Sequence, residues 1–257
     1  MEYSEYKNIY NRLNTVRDIE NMKEKGYDEE FLVTLLTQKI NRETKKRFHV
    51  VKQNAGRLLR EWKRGKSLLQ ISDEWRFPPI LTAMLIFFED GASRKEFWEY
   101  IREPELLGDN VADEIREIVR SDVVYSPEAN ERHRRRGVWG ETLLQNWLDA
   151  QGIKYRTEND LKAEGGKTPD CLLDKPMMYN GKEIRWIESK ASFGDNTEFR
   201  MNSKKQLVPY TELFGPGIVV YWMGRLNDLE MPDDVYIEDI SILEKKLQPM
   251  QCTEEGA

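Results

Sequence analysis

Residues 183–191 read EIRWIESKA, and the alternation in this stretch predicts a β-strand with a charged end. Side chains on a strand point alternately to its two faces, so Ile184, Trp186, Glu188 and Lys190 are expected to share one face. The two apolar residues predict a buried row that ends at a carboxylate and an amine. A buried carboxylate is costly unless it binds something, so this end of the strand is a candidate functional site.

A second carboxylate precedes this strand, in Thr168-Pro169-Asp170. We expect a short strand from Asp170 to Leu173 that pairs beside Glu188 and Lys190, so that two carboxylates and an amine converge. Mg²⁺ prefers oxygen ligands, usually one or two carboxylates with water and substrate phosphate. Such an ion lowers the pKa of a bound water and stabilises charge during attack on a phosphodiester. The pattern predicts Asp170 and Glu188 as metal ligands, with Lys190 holding the attacking water or the scissile phosphate.

A helix is predicted in residues 137–152, GVWGETLLQNWLDAQG, before these strands. Its spacing favours an inward side made of Trp139, Leu143, Leu144, Trp147 and Leu148. Glu141 lies on this helix and is expected to reach the same patch, where it would hold a second ion or orient a water. Each motif alone also has a structural explanation: a turn for Thr-Pro-Asp, a solvated face for Glu-x-Lys, and an ordinary surface position for Glu141.

The predicted secondary structure divides the chain into a helical part and a part that contains strands, which predicts an α+β protein. Residues 1–120 read as successive helices, and within them residues 67–90 predict a helix-turn-helix-like unit, opened by a capping box at Ser67 and Gln70. Residues 121–136 are predicted to be a basic linker, and residues 137–257 to be an α/β domain with a central mixed sheet. GIVVYWMG, residues 217–224, is almost fully apolar, as expected of a central strand.

Charge is segregated along the chain despite a net charge of −6. Residues 39–66 hold eleven Lys/Arg and two Glu, while residues 226–257 hold nine acids and two lysines. Such segregation favours a polyanion partner, here DNA, although solvated helix faces are the plainer alternative. The residues expected to contact phosphates fall in two clusters: Arg57, Arg60, Lys63 and Arg64, then Arg132, Arg134, Arg135 and Arg136.

Other features exclude several classes of protein. The longest apolar run, from Ile80 to Phe88, is about half of what a membrane-spanning helix needs. The polar first ten residues do not predict a signal or transit peptide. The only cysteines, Cys171 and Cys252, lack metal-ligand company, which favours a reducing compartment, cytoplasmic or, in a eukaryote, nuclear. No small-molecule cofactor is expected. A homodimer is a possible assembly, because cutting two strands needs two active sites.

Four motifs together resemble the TPD-motif family of PD-(D/E)xK nucleases, the family of codanin-1-interacting nucleases. They are Gly140-Glu141, Thr168-Pro169-Asp170, WIESKASFGD (residues 186–195) and FGPGIVVYW (residues 214–222). The resemblance implies a restriction-endonuclease-like fold and cleavage of DNA that depends on Mg²⁺ or Mn²⁺. Asp170, Glu188 and Lys190 occupy its three motif positions.

The same core also resembles archaeal Holliday junction resolvases, which implies that Glu141 joins the metal site. In the shared block, Ser189 is expected to offer its backbone carbonyl to the metal, and Asp195 either belongs to the site or caps a turn. Gln206 and Tyr210 resemble the QxxxY pattern of RecB-like nucleases, although Pro209 between them is expected to disturb the helix.

The leading hypothesis is therefore a metal-dependent DNA nuclease, selective for a junction, a flap or a single strand. A non-catalytic DNA-binding regulator or scaffold on a nuclease-like core is the alternative from another class. An RNA nuclease is the third, because no aromatic platform in the sequence separates RNA from DNA.

Overall fold

The computed structural model describes residues 1–162, 166–230, 232 and 234–250. Cys252 and the last part of the acidic tail lie outside the described residues. The chain packs as two compact units, one of Met1–Leu35 with the chain from Arg135 onward, the other of Leu36–Arg134. This division differs from the predicted one, because the first 35 residues group with the sheet and not with the other helices. We describe the two units separately.

Helices fill the chain up to the sheet. They are α1 (Tyr3–Arg12), α2 (Val16–Lys23), α3 (Glu29–Gln53), α4 (Ala55–Lys63), α5 (Leu68–Trp75), α6 (Pro79–Glu89), α7 (Arg94–Arg102), α8 (Asp109–Ser121) and α9 (Pro127–Asp149). The predicted linker 121–136 is corrected here, because α9 is helical from Pro127 onward. Among the described helices, none is both long and apolar enough to cross a membrane.

The helix-turn-helix-like segment exists as α5, a turn and α6, but α6 is an interior helix. The predicted capping box opens α5, with Ser67 accepting from Gln70 N–H and Gln70 accepting from Ser67 N–H. Ile80, Ala83 and Ile86 on α6 are fully buried in the core of the Leu36–Arg134 unit. A helix that reads DNA bases must present exposed side chains to a groove, whereas on α6 only Phe88 and Glu89, at its end, are exposed.

A six-stranded mixed sheet forms the core of the other unit, which confirms the α+β class. Its strands are β1 (Tyr155–Thr157), β2 (Cys171–Tyr179), β3 (Lys182–Lys190), β4 (Gly217–Tyr221), β5 (Val235–Asp239) and β6 (Gln248–Pro249). The order is β1-β2-β3-β4-β5, with β6 paired to β2. β1, β2 and β3 are antiparallel neighbours, whereas β3, β4 and β5 run parallel.

A two-residue turn joins β2 to β3, and a register shift then sets their pairing near the site. Asn180 and Gly181 both adopt positive φ, 49° and 77°, which is what a two-residue hairpin turn of the favoured type requires. β2 is longer than predicted and carries a register shift between Leu172 and Met177. β4 is buried along its whole length, as its apolar sequence predicts for a strand flanked on both sides.

Short helices connect β1 to β2 and β3 to β4. They are α10 (Glu158–Leu161), α11 (Asn196–Asn202), a π-turn (Ser203–Leu207) and α12 (Val208–Phe214). The crossover from β3 to β4 lays this helical segment beside the sheet. The ends of β2 and β3 are therefore bordered by helical residues that the sequence places far away.

Candidate active site

Asp170 and Glu188 face each other across the start of β2 and the end of β3. The register pairs Cys171 with Ile187, so the preceding and following residues come opposite. Asp170 N–H donates to Glu188 Oε2 at 3.2 Å, and Ser189 N–H donates to Asp170 Oδ2 at 2.8 Å. Each carboxylate is thus held by the backbone of the other strand. This exchange fixes both acids without using up all of their oxygen lone pairs.

Lys190 completes the predicted group, because its Nζ forms an ion pair with Glu188 Oε1. The Glu188 side chain is 2% exposed and the Lys190 side chain 18% exposed. Ile184 and Trp186 are both fully buried, but Ile184 belongs to the same core cluster as Ile187, whereas Trp186 meets the Tyr210 ring edge-on. The structure therefore brings Asp170, Glu188 and Lys190 together beside the buried Trp186, and burial of Ile184 and Trp186 in one shared row is not what it shows.

Burial makes the negative charge of this pair costly. The pKa of Glu188 is raised from 4.5 to about 7, first by burial and then by the charge of Asp170, with Lys190 acting in the opposite direction. The pKa of Asp170 is also raised by burial, against the Ser189 N–H and the Lys190 charge. Two buried carboxylates with one amine nearby resist being ionised together. A bound cation would relieve that repulsion.

Gln206 and Tyr210 connect the crossover segment to Glu188 on β3 and to Thr168, which lies two residues before Asp170. Gln206 Nε2 donates to Glu188 Oε1 at 3.0 Å and approaches Tyr210 Oη at 3.4 Å. Tyr210 Oη donates to the Thr168 carbonyl at 2.8 Å, two residues before Asp170. Pro209 does not prevent this, because a π-turn ends just before it and the proline lies in the first turn of α12.

Glu141 lies on α9 with its side chain exposed. Its pKa is raised by partial burial and then by the charge of Asp170, while Lys190 is among the charges that lower it. Glu141 therefore lies close enough to Asp170 and Lys190 for their charges to act on it in opposite directions. The neighbouring Gly140 allows α9 to lie close to Trp222 and Ser189. A Cβ at Gly140 would lie 2.5 Å from the Trp222 ring and 3.0 Å from Ser189 Oγ.

Sequence reasoning missed Trp222, whose Nε1 donates to Ser189 Oγ at 2.7 Å. The available signal was Gly140, since a glycine inside a helix costs about 1 kcal/mol and often marks a close approach. Ser189 uses its N–H toward Asp170. The carbonyl of a strand residue points to the same edge as its N–H, so the Ser189 carbonyl also faces that edge.

Asp195 has a structural set of partners. Its carboxylate is 2% exposed, accepts from the N–H groups of Thr197 and Glu198 at the start of α11, and accepts from the Tyr6 hydroxyl at 2.6 Å. Tyr6 also stacks on Phe193, with 5.5 Å between the ring centroids. These contacts tie α1 to the sheet unit and give Asp195 a helix-capping role.

The donor set suits a hard cation with a partly hydrated shell. Over the described residues, no group of three or more His, Cys, Asp or Glu side chains is arranged to hold a metal ion. The residues that fit are two carboxylates, Asp170 and Glu188, together with the Ser189 carbonyl. One or two carboxylates with several waters is the usual protein share of a Mg²⁺ site, whereas Zn²⁺ sites commonly take His or Cys.

The basic residues predicted to contact phosphates fall into different environments on α4. Arg57 pairs with Glu61 at 2.8 Å and covers the Trp75 ring, and Lys63 pairs with Asp90 at 2.5 Å. Arg60 and Arg64 are exposed, and neither forms an ion pair in the part of the chain that the structure describes. These two are the better phosphate candidates.

The arginine cluster at the start of α9 is also divided. Arg132, Arg134 and Arg135 are exposed, and Arg134 pairs with Glu131 at 2.8 Å. Arg136 is only 9% exposed, donates to Thr34 Oγ1 and lies 3.6 Å from Glu30. Its predicted role in DNA binding is therefore corrected, because its guanidinium holds α3 against α9 and is not presented to solvent.

Fold and site together define an α+β protein in which a mixed sheet presents a buried carboxylate pair and a lysine at the ends of two antiparallel strands. The family model described as "Protein of unknown function TPD sequence-motif" matches residues 108–241, just over half of the chain. The chain belongs to this TPD family, which confirms the resemblance seen in its motifs.

Relatives named CDAN1-interacting nuclease 1 are similar to the chain. Those from Danio rerio, Mus musculus and Homo sapiens are each 33% identical over an alignment of 172 residues, and each alignment covers 63% of this chain. The matched span covers 57%, 61% and 61% of the three relatives, respectively, so the chain spans less than two thirds of their length. No solved structure matches the chain.

Proposed function

We propose that this protein is a divalent-metal-dependent DNA nuclease with a PD-(D/E)xK site. The observation that carries the proposal is the meeting of Asp170, Glu188 and Lys190 at the ends of β2 and β3. Two carboxylates are a usual protein share of a Mg²⁺ site, and an ion held there could assist phosphodiester hydrolysis. The word nuclease in the names of the relatives supports the same activity.

Mg²⁺ or Mn²⁺, when bound, would offset phosphate charge and lower the pKa of a water ligand. Asp170 and Glu188 would hold that ion, and the Ser189 carbonyl would add a neutral oxygen. The Lys190 ammonium would leave Glu188 to hold the attacking water or a phosphate oxygen. Glu141, exposed and within the field of Asp170, would orient a water or help to hold a second ion.

DNA is the proposed substrate because the chain that carries the site also carries exposed arginines, a residue type that binds backbone phosphates. Arg60 on α4 and Arg64, which directly follows that helix, would contact backbone phosphates, which carry no sequence information. Selectivity for a junction, a flap or a single strand, and a homodimer that presents two sites, belong to the same proposal. The CDAN1 partnership stated in the relatives' names is a property of those relatives.

Metal-dependent cleavage is the decisive test. The purified protein is incubated with end-labelled single-stranded, duplex, flapped and four-way-junction DNA and with single-stranded RNA, in Mg²⁺, Mn²⁺ or EDTA. Glu188→Gln is run beside it, and Glu212→Gln, an exposed acid on α12, is the matched control. We expect cutting that needs the metal, is lost in Glu188→Gln and persists in Glu212→Gln.

Other outcomes point to the competing hypotheses. Tight binding of DNA without cutting on any substrate would contradict the nuclease proposal and favour a DNA-binding regulator or scaffold. Cutting of RNA in preference to DNA would retain the site and change the substrate. Equal cutting by Glu188→Gln would show that the activity arises elsewhere.

A further inference from the structure

An exposed face of α9 carries an unexpected aromatic side chain. Arg135, Val138, Trp139 and Thr142 follow helical spacing and are all exposed, with Val138 51% and Trp139 41% exposed. The sequence predicts Trp139 on the inward side with Trp147, yet only Trp147 is buried. A large indole that reaches solvent therefore lies on the helix that also bears Glu141.

This indole is close to the proposed catalytic strand. Trp139 meets Trp222 edge-on, with 6.2 Å between ring centroids and an angle of 71° between the planes. Trp222 N–H donates to the Lys190 carbonyl at 2.9 Å, and its indole donates to Ser189. Trp222 thus connects Trp139 to the end of β3, where Ser189 lies between Glu188 and Lys190 in the chain.

We propose that Trp139 is a stacking platform for an unpaired base of the nucleic-acid strand held at the active site, a role that rests on the proposed function. In an edge-on pair one ring presents its edge to the other, so the partly exposed Trp139 indole keeps surface available for a planar ligand. Every base has a π-face, and stacking on aromatic side chains is how single strands are commonly held.

The surroundings favour a base over an apolar protein segment. Val138 adds a small apolar contact, while Arg135 and Glu141 on the neighbouring positions make the face too charged for a large hydrophobic interface. Bases inside a duplex are already stacked on both faces. The platform would therefore select single-stranded, flapped or unpaired DNA at the point of cleavage.

Binding is measured with the full chain carrying Glu188→Gln, in EDTA, so that no turnover is needed. The probe is single-stranded DNA with an internal 2-aminopurine, whose fluorescence is quenched when it stacks. The same strand annealed in a duplex, and an RNA strand of the same sequence, are the comparison ligands. Trp139→Ala and Trp139→Phe are tested, with Leu213→Ala as the matched control because Leu213 is a 61% exposed apolar residue on α12.

We expect Trp139→Ala to weaken single-strand binding by about tenfold and to remove the quenching, with duplex binding changed less than about twofold. Trp139→Phe should retain most of both signals because it keeps an aromatic face, and Leu213→Ala should resemble the parent. Thermal melting of each variant checks that it remains folded.

Unchanged binding and quenching in Trp139→Ala would overturn the proposal, as would equal losses on single strands and duplexes or no binding of any strand. Failure of the nuclease proposal is a separate result, seen as absent metal-dependent cleavage while Trp139-dependent quenching persists. Stronger quenching with RNA than with DNA would keep the platform and assign it to an RNA strand.

Discussion

Gln206 donates its side-chain amide to Glu188 at 3.0 Å, so a residue of the crossover segment positions a carboxylate of the central sheet. Glu188 lies near the end of β3 and Gln206 within the π-turn, and α11 separates them along the chain. Through Tyr210 and the Thr168 carbonyl, the same segment also reaches the chain two residues before Asp170. The crossover segment therefore contacts Glu188 directly and the approach to Asp170 through the backbone.

Gln206→Ala and Tyr210→Phe should lower metal-dependent cleavage by roughly 10- to 100-fold, the usual effect of removing partners that orient metal ligands. The loss should include a higher metal concentration for half-maximal activity, because Glu188 would be less well oriented. Metal titrations of the initial rate check this, with Glu212→Gln on the same helix as control. An unchanged metal requirement would show that the two residues serve only to pack the crossover.

Asp170→Asn and Lys190→Ala should each reduce cleavage by roughly 10²- to 10⁴-fold, since each removes a ligand or a group that positions the reacting atoms. DNA affinity should change little, because the phosphate contacts proposed for Arg60 and Arg64 do not involve these side chains. Single-turnover cleavage and anisotropy binding assays measure the two effects. Wild-type rates in either variant would contradict the assignment of that residue.

The raised pKa of Glu188 predicts a pH-dependent stability in EDTA. A carboxyl whose pKa is higher in the folded protein stabilises the fold while protonated, and this contribution is lost as pH rises from 4.5 to about 7. Glu188→Gln should therefore melt higher than wild type at pH 8, with the difference shrinking toward pH 5. Thermal melting across that range checks it, and a pH-independent difference would contradict a raised pKa.

The stabilisation of the fold by a divalent metal should increase with pH, because the cation competes with the proton for Asp170 and Glu188. A ligand present at about 100 times its Kd adds about 2.7 kcal/mol to the free energy of unfolding. We expect Mg²⁺ or Mn²⁺ to raise the melting temperature at pH 8 and less at pH 5, and not in Asp170→Asn. Equal shifts in both proteins would indicate binding elsewhere.

Charge reversal of Arg60 and Arg64 should weaken DNA binding and flatten its salt dependence. Each lost phosphate contact lowers the slope of log K against log salt by about 0.9. Binding titrations at several salt concentrations measure that slope, with charge reversal of the exposed Arg94 as control. A slope equal to that of wild type would remove α4 from the DNA-binding surface.

Reversal of Arg57 and Lys63 should have a different effect. Both already pair with acids of their own unit, Glu61 and Asp90, so reversal places like charges together. We expect reduced stability in addition to any change in binding, and melting curves separate the two. This distinction follows from the structure, because the sequence shows four similar cations at helical spacing.

The sequence by itself determined the elements and residues that short-range patterns control. Alternation along β3 predicts that Glu188 and Lys190 share a face with the buried Trp186, and the motifs identify the family. Asn180-Gly181 specifies the turn that returns β2 onto β3. The strand period and the turn can be read locally, but Asp170 comes opposite Glu188 only through the register shift between Leu172 and Met177, which the turn does not set.

Only the tertiary structure decided which side chains from distant segments reach the site and which are withdrawn. Gln206 meets Glu188 because a π-turn changes the helical phase before Pro209, and Arg136 is buried because Thr34 and Glu30 lie against it. Helical periodicity predicts that Trp139 faces inward. In the structure Trp139 contacts the edge of the core at Trp222 and remains 41% exposed. Contacts of this kind depend on how separate elements pack, which the spacing within one segment does not encode.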